Sequence, residues 1–157
     1  MNAPVIIRPA SRADLPQLLA LYPHLDPADR IPTLDVAERR LEELQKYEGS
    51  AIFVALREGD IVASCTLIVI PNLTRGGQPY GLIENVVTHL AFRGLGLGKQ
   101  ILKAAVEAAW QLPGSTPCTT RGPIRLNFGI ACALASPGSV PRRPTTAHRS
   151  LLRSSFI

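Results

Sequence analysis

Acidic residues are missing from the last fifty positions of the chain, although twelve precede them. Residues 1–110 carry 11 Lys and Arg against 12 Asp and Glu, whereas residues 111–157 carry six arginines and no acid. The overall charge of +5 therefore comes from the tail alone. A basic surface spread over a whole domain, which is typical of nucleic-acid-binding proteins, is excluded for the first 110 residues.

Long apolar runs are also lacking. The longest, Ile61–Ile70, is interrupted by two hydroxyl residues and falls far short of the roughly 20 residues that cross a bilayer. The first residues lack the basic-then-apolar pattern of a secretion signal. The few cysteines, Cys65, Cys118 and Cys132, show neither a disulfide framework nor metal-ligand spacing. We therefore expect a cytoplasmic protein with no membrane contact and no metal site.

The chain has 157 residues, which is enough for one α/β domain with a hydrophobic core. The first helix is predicted to be capped by Ser11 and stopped by Pro23, and a loop is expected over Pro71–Pro79. Apolar periodicity predicts the remaining elements. These are strands at Val5–Arg8, Ala51–Leu56, Ile61–Ile70 and Leu82–Thr88, and helices over Asp35–Tyr47 and from Leu97 onwards.

A strand, a glycine-rich turn and a helix follow one another between Gly81 and Gln111. The turn, Arg93–Lys99, has the sequence RGLGLGK and is called the glycine turn below. Its glycines let the backbone turn sharply and approach a ligand closely, and the first amides of the following helix have no intrahelical acceptor. With the helix dipole, these amides suit a phosphate or pyrophosphate. The spacing fits neither the dinucleotide fingerprint nor the P-loop, and a strand-to-helix turn without a ligand is the alternative.

The string Ile83–His89 followed by Arg93-x-x-Gly96-x-Gly98 resembles the coenzyme-A-binding motif of the GNAT acetyltransferase family. The resemblance covers about residues 5–110, and Leu90 departs from it where many members have proline. It implies an α/β acyltransferase fold with a mixed, mainly antiparallel sheet and flanking helices, and acetyl-CoA as co-substrate. It also implies a set of cofactor-binding residues: Val86, Val87, Thr88, Arg93, Gly94, Leu95, Gly96, Leu97, Gly98 and Lys99.

Glu84 is the only acid in the strand before the glycine turn and is the candidate general base, acting through water. The alternative is that Glu84 merely faces solvent or pairs with a nearby cation. His89 and Tyr80 are further candidates, for proton movement and for the acceptor pocket, although a structural histidine and a packed aromatic are simpler interpretations. The resemblance also implies a tyrosine as general acid on a fourth helix, and no tyrosine follows Tyr80.

The predicted function is direct transfer of an acetyl group from acetyl-CoA to the primary amine of a small molecule, in a ternary complex. One alternative is an acyl-CoA-binding module that lacks turnover. A second is a nucleic-acid-binding protein that acts through the arginine tail, but aromatic residues are not interleaved with these arginines. The sequence identifies neither the acceptor nor the oligomeric state, and a homodimer is compatible with it.

The prediction divides the chain into a domain, 1–110, and a tail, 111–157. The tail is rich in Pro, Ser, Thr and Arg and shows neither the fifth strand nor the fourth helix that the resemblance implies. One interpretation is a disordered basic tail. Another is a shifted reading frame, because the frame one base back forces Ala across Trp110–Gln111 and permits Glu-Phe-Trp across Leu126–Gly129. The coding DNA around Trp110, read in all three frames, distinguishes them.

We predict that the purified 157-residue chain has little acetyltransferase activity. The segment Gln111–Thr120 contains two prolines and no alternating apolar run, and proline removes a donor from the strand ladder. Most of the tail should therefore lack a well-packed strand beside the fourth strand. Turnover of the purified chain measures this directly, and robust turnover or a regular fifth strand across Gln111–Thr120 would contradict it.

Overall fold

The computed structural model describes residues 4–77 and 79–111. Within them the predicted order, strand–helix–helix–strand–strand–strand–helix, is confirmed. The elements are β1 Val5–Pro9, α1 Leu15–Leu21, α2 Leu34–Gln45, β2 Ala51–Arg57, β3 Asp60–Ile70, β4 Tyr80–Thr88 and α3 Leu97–Trp110. Short 3₁₀ turns occupy Arg12–Asp14, Tyr22–His24, Arg75–Gly77 and Leu90–Phe92. None of the described helices is both long and apolar enough to cross a membrane.

The four described strands form one antiparallel sheet in the order β1-β2-β3-β4. The β2–β3 hairpin closes at Glu58 and Gly59, which both adopt positive φ angles, as a tight two-residue connection requires. In the part of the chain that the structure describes, β4 pairs only with β3 and forms one edge of the sheet.

Apolar clusters cover both faces of the sheet. One face packs against α3, whose Leu97, Ile101 and Ala105 are buried among residues of β2, β3 and β4. The other face packs against α1 and α2 through Leu18, Leu41 and their neighbours. The period-2 alternation of β2 explains the division, because neighbouring side chains point to opposite faces of the sheet.

Element boundaries differ slightly from the predicted ones. The first helix is a 3₁₀ turn followed by only seven residues of α-helix, and Pro23 lies within a second 3₁₀ turn rather than after a long helix. Strand β1 includes Pro9, which an edge strand tolerates since it need not donate to a second neighbour. The predicted tail lies outside the described residues except for Gln111, as do Cys118 and Cys132.

The predicted start of the first helix is an ion-paired cap. The Asp14 carboxylate accepts hydrogen bonds from the Ser11 amide at 2.7 Å and the Ser11 hydroxyl at 2.8 Å. Both Asp14 oxygens also accept from the Arg8 guanidinium, at 2.7 and 2.8 Å. These interactions, with the Arg8 hydrogen bond the largest contribution, hold the pKa of Asp14 well below its ordinary value. The network therefore ties β1 to α1.

We predict that Asp14→Asn lowers the free energy of unfolding by about 2 kcal/mol at pH 7, because the amide cannot serve both the guanidinium and the Ser11 donors. The folded-state pKa lies below the unfolded one, so this stabilisation is present above about pH 4 and is lost as the pH falls further. Urea unfolding at several pH values measures it. The matched control is Glu43→Gln, in the exposed Arg40–Glu43 pair, where little change is expected. Equal stability of wild type and Asp14→Asn at pH 7 would contradict the prediction.

Candidate functional site

A β-bulge lies in the middle of β4. Glu84 is paired with Thr66 and Val87 with Ser64, so two residues of β4, at positions 85 and 86, lie opposite Cys65 alone. Asn85 adopts a φ of 51°, a left-handed conformation that asparagine tolerates better than most residues. The bulge therefore places one extra residue in the strand and shifts its alternation.

The bulge changes which side chains share a face. Ile83 and Val86 are three positions apart, yet both pack in the cluster beneath α3. Val87 packs in the cluster of α1 and α2. Glu84 lies opposite Thr66, which in turn lies opposite Ile52, a residue that packs against the α1 and α2 cluster. The side chain of Glu84 therefore lies on the face away from α3, and it is half-buried there.

The glycine turn joins the end of β4 to α3 through a 3₁₀ turn at Leu90–Phe92. Gly94 has a φ of 81° and Gly96, the N-cap of α3, a φ of 76°. Only glycine adopts these angles without steric cost, so the backbone conformation itself explains both residues. Leu95 is exposed beside them, whereas Leu97 is buried and anchors the first turn of α3 in the core.

Gly98 has no such explanation. Its φ is not positive, and a Cβ added there would lie 3.6 Å from Thr88 Oγ1, an ordinary van der Waals distance. A glycine within a helix costs up to about 1 kcal/mol relative to alanine. Neither backbone strain nor packing within the described residues requires glycine at this position, which leaves close approach of a ligand as a physical reason for it.

The amides of the glycine turn lie at the start of a helix. The Arg93 amide donates to Leu90 O at 3.3 Å, and the first intrahelical bond of α3 runs from Gln100 N to Gly96 O at 3.1 Å. The amides of Leu97, Gly98 and Lys99 lie between these two bonds and have no acceptor within the helix. This turn of the helix, with the exposed Lys99, is suited to an anion.

The exposed side chain of Arg93 lies along the protein surface and donates to two backbone carbonyls. Its Nη2 donates to the carbonyl of His24 at 2.7 Å and its Nε to the carbonyl of Thr88 at 3.2 Å. The His24 and His89 rings pack with centroids 4.1 Å apart. His89 Nδ1 accepts from the Ala91 amide at 3.2 Å, so His89 caps the short turn after β4.

These contacts also affect His24. Burial, and then the positive charges of His89 and Arg93, lower the pKa of His24 below its ordinary value. Sequence reasoning missed His24 because its partners lie more than sixty positions away, and nothing local in the segment around Pro23 indicates them. A signal for the bulge was present, since asparagine in a β-branched strand favours a left-handed residue.

Two other features do not join this site. The buried Cys65 thiol donates to Ile101 O at 3.9 Å, and burial raises its pKa to about 12, so it is a poor nucleophile. An open groove of about 430 Å³ at the end of α2 is lined by Arg40, Glu43, Leu44, Lys46 and Tyr47, away from the glycine turn. Among the residues described, no three of the His, Cys, Asp and Glu side chains cluster as metal ligands would.

Several known proteins resemble this chain. A curated glucosamine 6-phosphate N-acetyltransferase of Trypanosoma brucei brucei is 33% identical over 103 residues, which cover 64% of this chain and 69% of that protein. A solved structure described as an acetyltransferase from Agrobacterium tumefaciens strain C58 is 43% identical, with a TM-score of 0.62 over 67% of this chain and 73% of that one. A glucosamine-6-phosphate N-acetyltransferase from Arabidopsis thaliana is 27% identical, with a TM-score of 0.61 over 67% and 74% of the two chains.

The model of the Acetyltransferase (GNAT) family matches residues 18–119. The match includes β4, the glycine turn and α3, ends within the predicted tail and leaves residues 120–157 outside it. It covers well over half of the chain and agrees with the relatives and with the fold of the described residues. The resemblance seen in the strand and the glycine turn is thereby confirmed. The chain belongs to the GNAT acetyltransferase family, whose members are N-acetyltransferases that use acetyl-CoA.

Proposed function

We propose that this chain binds acetyl-CoA at the glycine turn and transfers its acetyl group directly to the primary amine of a small molecule. The observation that carries the proposal is Gly98, which neither the backbone conformation nor the packing of the described residues explains. Family membership supports the same chemistry. Acetyl-CoA supplies an activated thioester, and the steps below concern the residues that hold and attack it.

The amides of residues 94–99 bind the pyrophosphate in this proposal. They lie in a turn whose shape is set by Gly94 and Gly96 and in the first turn of α3. The glycine turn leads directly into α3, whose Leu97 and Ile101 are buried. A shift of this helix would expose the core, so the turn is held in place. Preformed amides also need little reorganisation when an anion arrives.

The outer edge of β4 binds the pantetheine arm. In the described residues this edge has no neighbouring strand, so the backbone groups of Val86–Thr88 can pair with the arm as they would with another strand. The bulge at Asn85 turns backbone groups away from the regular ladder, and one amide in this region polarises the thioester carbonyl.

Glu84 is the general base and acts through a water molecule. Its half-buried side chain lies on the face away from α3, one residue before the bulge. It takes one proton from the acceptor ammonium, and the freed amine nitrogen attacks the carbonyl carbon. The carbon–sulfur bond breaks to release a thiolate, and the second proton that the nitrogen loses as the amide forms passes through water to that thiolate. The three tyrosines, Tyr22, Tyr47 and Tyr80, all lie before the bulge, so no tyrosine of the C-terminal part protonates that thiolate.

Glucosamine 6-phosphate is the first acceptor to test. Two of the similar proteins described above are named as N-acetyltransferases for it, and it is a small primary amine. Tyr80, which is partly exposed at the start of β4, and the loop before it are the segment that we propose to contact the acceptor.

The main rival is a module that binds acyl-CoA without turnover. The domain 1–110 contains every residue proposed to bind acetyl-CoA, whereas the tail 111–157 carries the arginines and no acid. We propose this division as the domain organisation of the chain. Coenzyme A binding without transfer to any amine would favour the rival, and salt-sensitive nucleic-acid binding that disappears with the tail would favour a nucleic-acid-binding function.

We predict that Gly98→Ala weakens acetyl-CoA binding about tenfold or more, because the new methyl group occupies the space that the ligand approaches. The thermal unfolding temperature should be unchanged or slightly higher, since alanine favours the helix and the nearest protein atom is 3.6 Å away. Calorimetric titration measures the affinity. Gly98 is a sharper test than Gly96, whose positive φ would add backbone strain to any substitution.

The matched control for that experiment is Gln100→Ala, an exposed position on the same helix. It should leave acetyl-CoA affinity close to that of the wild type. Undiminished binding by Gly98→Ala would show that the glycine turn is not the binding site.

We predict that Glu84→Gln lowers whatever kcat the purified wild-type chain shows by roughly 10²- to 10⁴-fold, while acetyl-CoA affinity, which is measured without turnover, changes little. The acidic limb of the pH–rate profile should also disappear, since the amide cannot accept the proton. Glu107→Gln, an exposed acid on α3 paired with Lys103, is the control and should behave like the wild type. An unchanged rate across the pH range would make Glu84 a structural residue.

A further inference from the structure

The guanidinium of Arg93 donates hydrogen bonds to two backbone carbonyls on different segments. The Nη2–His24 O distance is 2.7 Å and the Nε–Thr88 O distance is 3.2 Å. His24 ends the 3₁₀ turn Tyr22–His24, called the brace turn below, and Thr88 ends β4. One side chain of the glycine turn therefore joins two segments that are 64 residues apart in the chain, 24 to 88.

The two histidines add a second contact between the same segments. The rings of His24 and His89 lie 4.1 Å apart between centroids, tilted by 56°. His89 in turn packs edge-on against Phe92, with ring centroids 5.5 Å apart, and caps the turn that leads to Arg93. The brace turn thus contacts the connection between β4 and α3 through a ring pair and through the Arg93 hydrogen bond.

We propose that Arg93 is a positioning residue, which locks the brace turn against the end of β4 and so holds the glycine turn in its binding shape, and that it is not itself a phosphate ligand. This inference rests on the proposed function, in which the glycine turn binds acyl-CoA. The planar guanidinium fork suits the role because its separate N–H groups reach two acceptors in fixed directions.

An arginine that binds phosphate and one that positions the backbone respond differently to lysine. Beside a phosphate, the ammonium group of a lysine can supply the positive charge of the arginine. It cannot reproduce the planar guanidinium geometry that donates to two carbonyls at once. Arg93→Lys is therefore the decisive variant. Arg93→Ala removes both the charge and the hydrogen bonds. Lys103→Ala removes an exposed charge from α3 about one helical turn beyond the glycine turn and serves as the control.

The experiment measures two quantities on the full chain. The first is acetyl-CoA affinity, by calorimetry. The second is the titration of the histidines by NMR without ligand, where only His148 must be distinguished from His24 and His89. The charged or titratable groups that act on His24 are His89 and Arg93, and burial is the largest cause of its lowered pKa. If the brace turn loses its contacts with Arg93, water can reach the His24 ring and its pKa should rise.

We expect Arg93→Lys and Arg93→Ala to weaken acetyl-CoA binding alike, about tenfold, the loss of roughly one charge-assisted hydrogen bond. In both variants the pKa of His24 should rise towards its ordinary value of about 6.5, even where the charge is kept. Lys103→Ala should match the wild type in both measurements. Wild-type affinity in Arg93→Lys, or an unchanged His24 titration in that variant, would overturn the proposal.

The two measurements separate this proposal from the proposed function. If the wild type fails to bind acetyl-CoA, the function assigned to the glycine turn is wrong. The histidine titration is made without ligand, so it still decides whether Arg93 holds the brace turn: a raised pKa in Arg93→Lys supports that role and an unchanged one refutes it.

Discussion

The bulge in β4 is the constraint on which the candidate site depends. A regular strand would place Ile83 and Val86 on opposite faces, because the side-chain period is two. The extra residue at Asn85 lets both pack beneath α3 while Val87 packs against α1 and α2. One strand therefore contributes to both halves of the core, and among the residues that the structure describes no strand pairs with its outer edge. The positive φ of Asn85 is the conformational cost of this arrangement.

The same shift separates the proposed binding and chemical groups. After the bulge, Thr88 lies close to Gly98 on the α3 side, whereas Glu84, before it, lies on the opposite side with Thr66. A thioester lying along the edge of β4 would therefore have the glycine turn at one end and the proposed base near the other. The proposed base and the amides proposed to bind the phosphates therefore lie on different sides of the sheet, so the base is kept away from the phosphates.

Much of the fold follows from local signals in the sequence. The alternation of β2, the hairpin at Glu58–Gly59 and the apolar stripe of α3 each depend on neighbours within a few residues, and each was predictable. The short first helix was harder to predict, since Pro23 is compatible both with a helix end and with the 3₁₀ turn that forms.

The glycine turn was also predictable, because its glycines encode backbone conformation directly. The contacts of Arg93 were not. Its donors bond to backbone carbonyls, and a carbonyl is present at every residue, so no residue type at position 24 marks the acceptor. The ring pair of His24 and His89 depends on how α1 and its following turn pack on the sheet. Such long-range pairs are set by the packed core and not by spacing along the chain.

The proposed base and the proposed binding groups lie close together in the chain, and this has a consequence for its evolution. Residues 84–99 contain the proposed base, the strand edge and the glycine turn, and all of them lie in the described domain with the family match around them. An exposed strand edge is a liability that proteins usually cover. Among the described residues no strand covers the outer edge of β4, and beyond Trp110 the composition changes to prolines and arginines without acids. Selection on acyl-CoA binding would therefore preserve the domain up to α3, whereas selection on transfer would also have to preserve whatever lies against that edge.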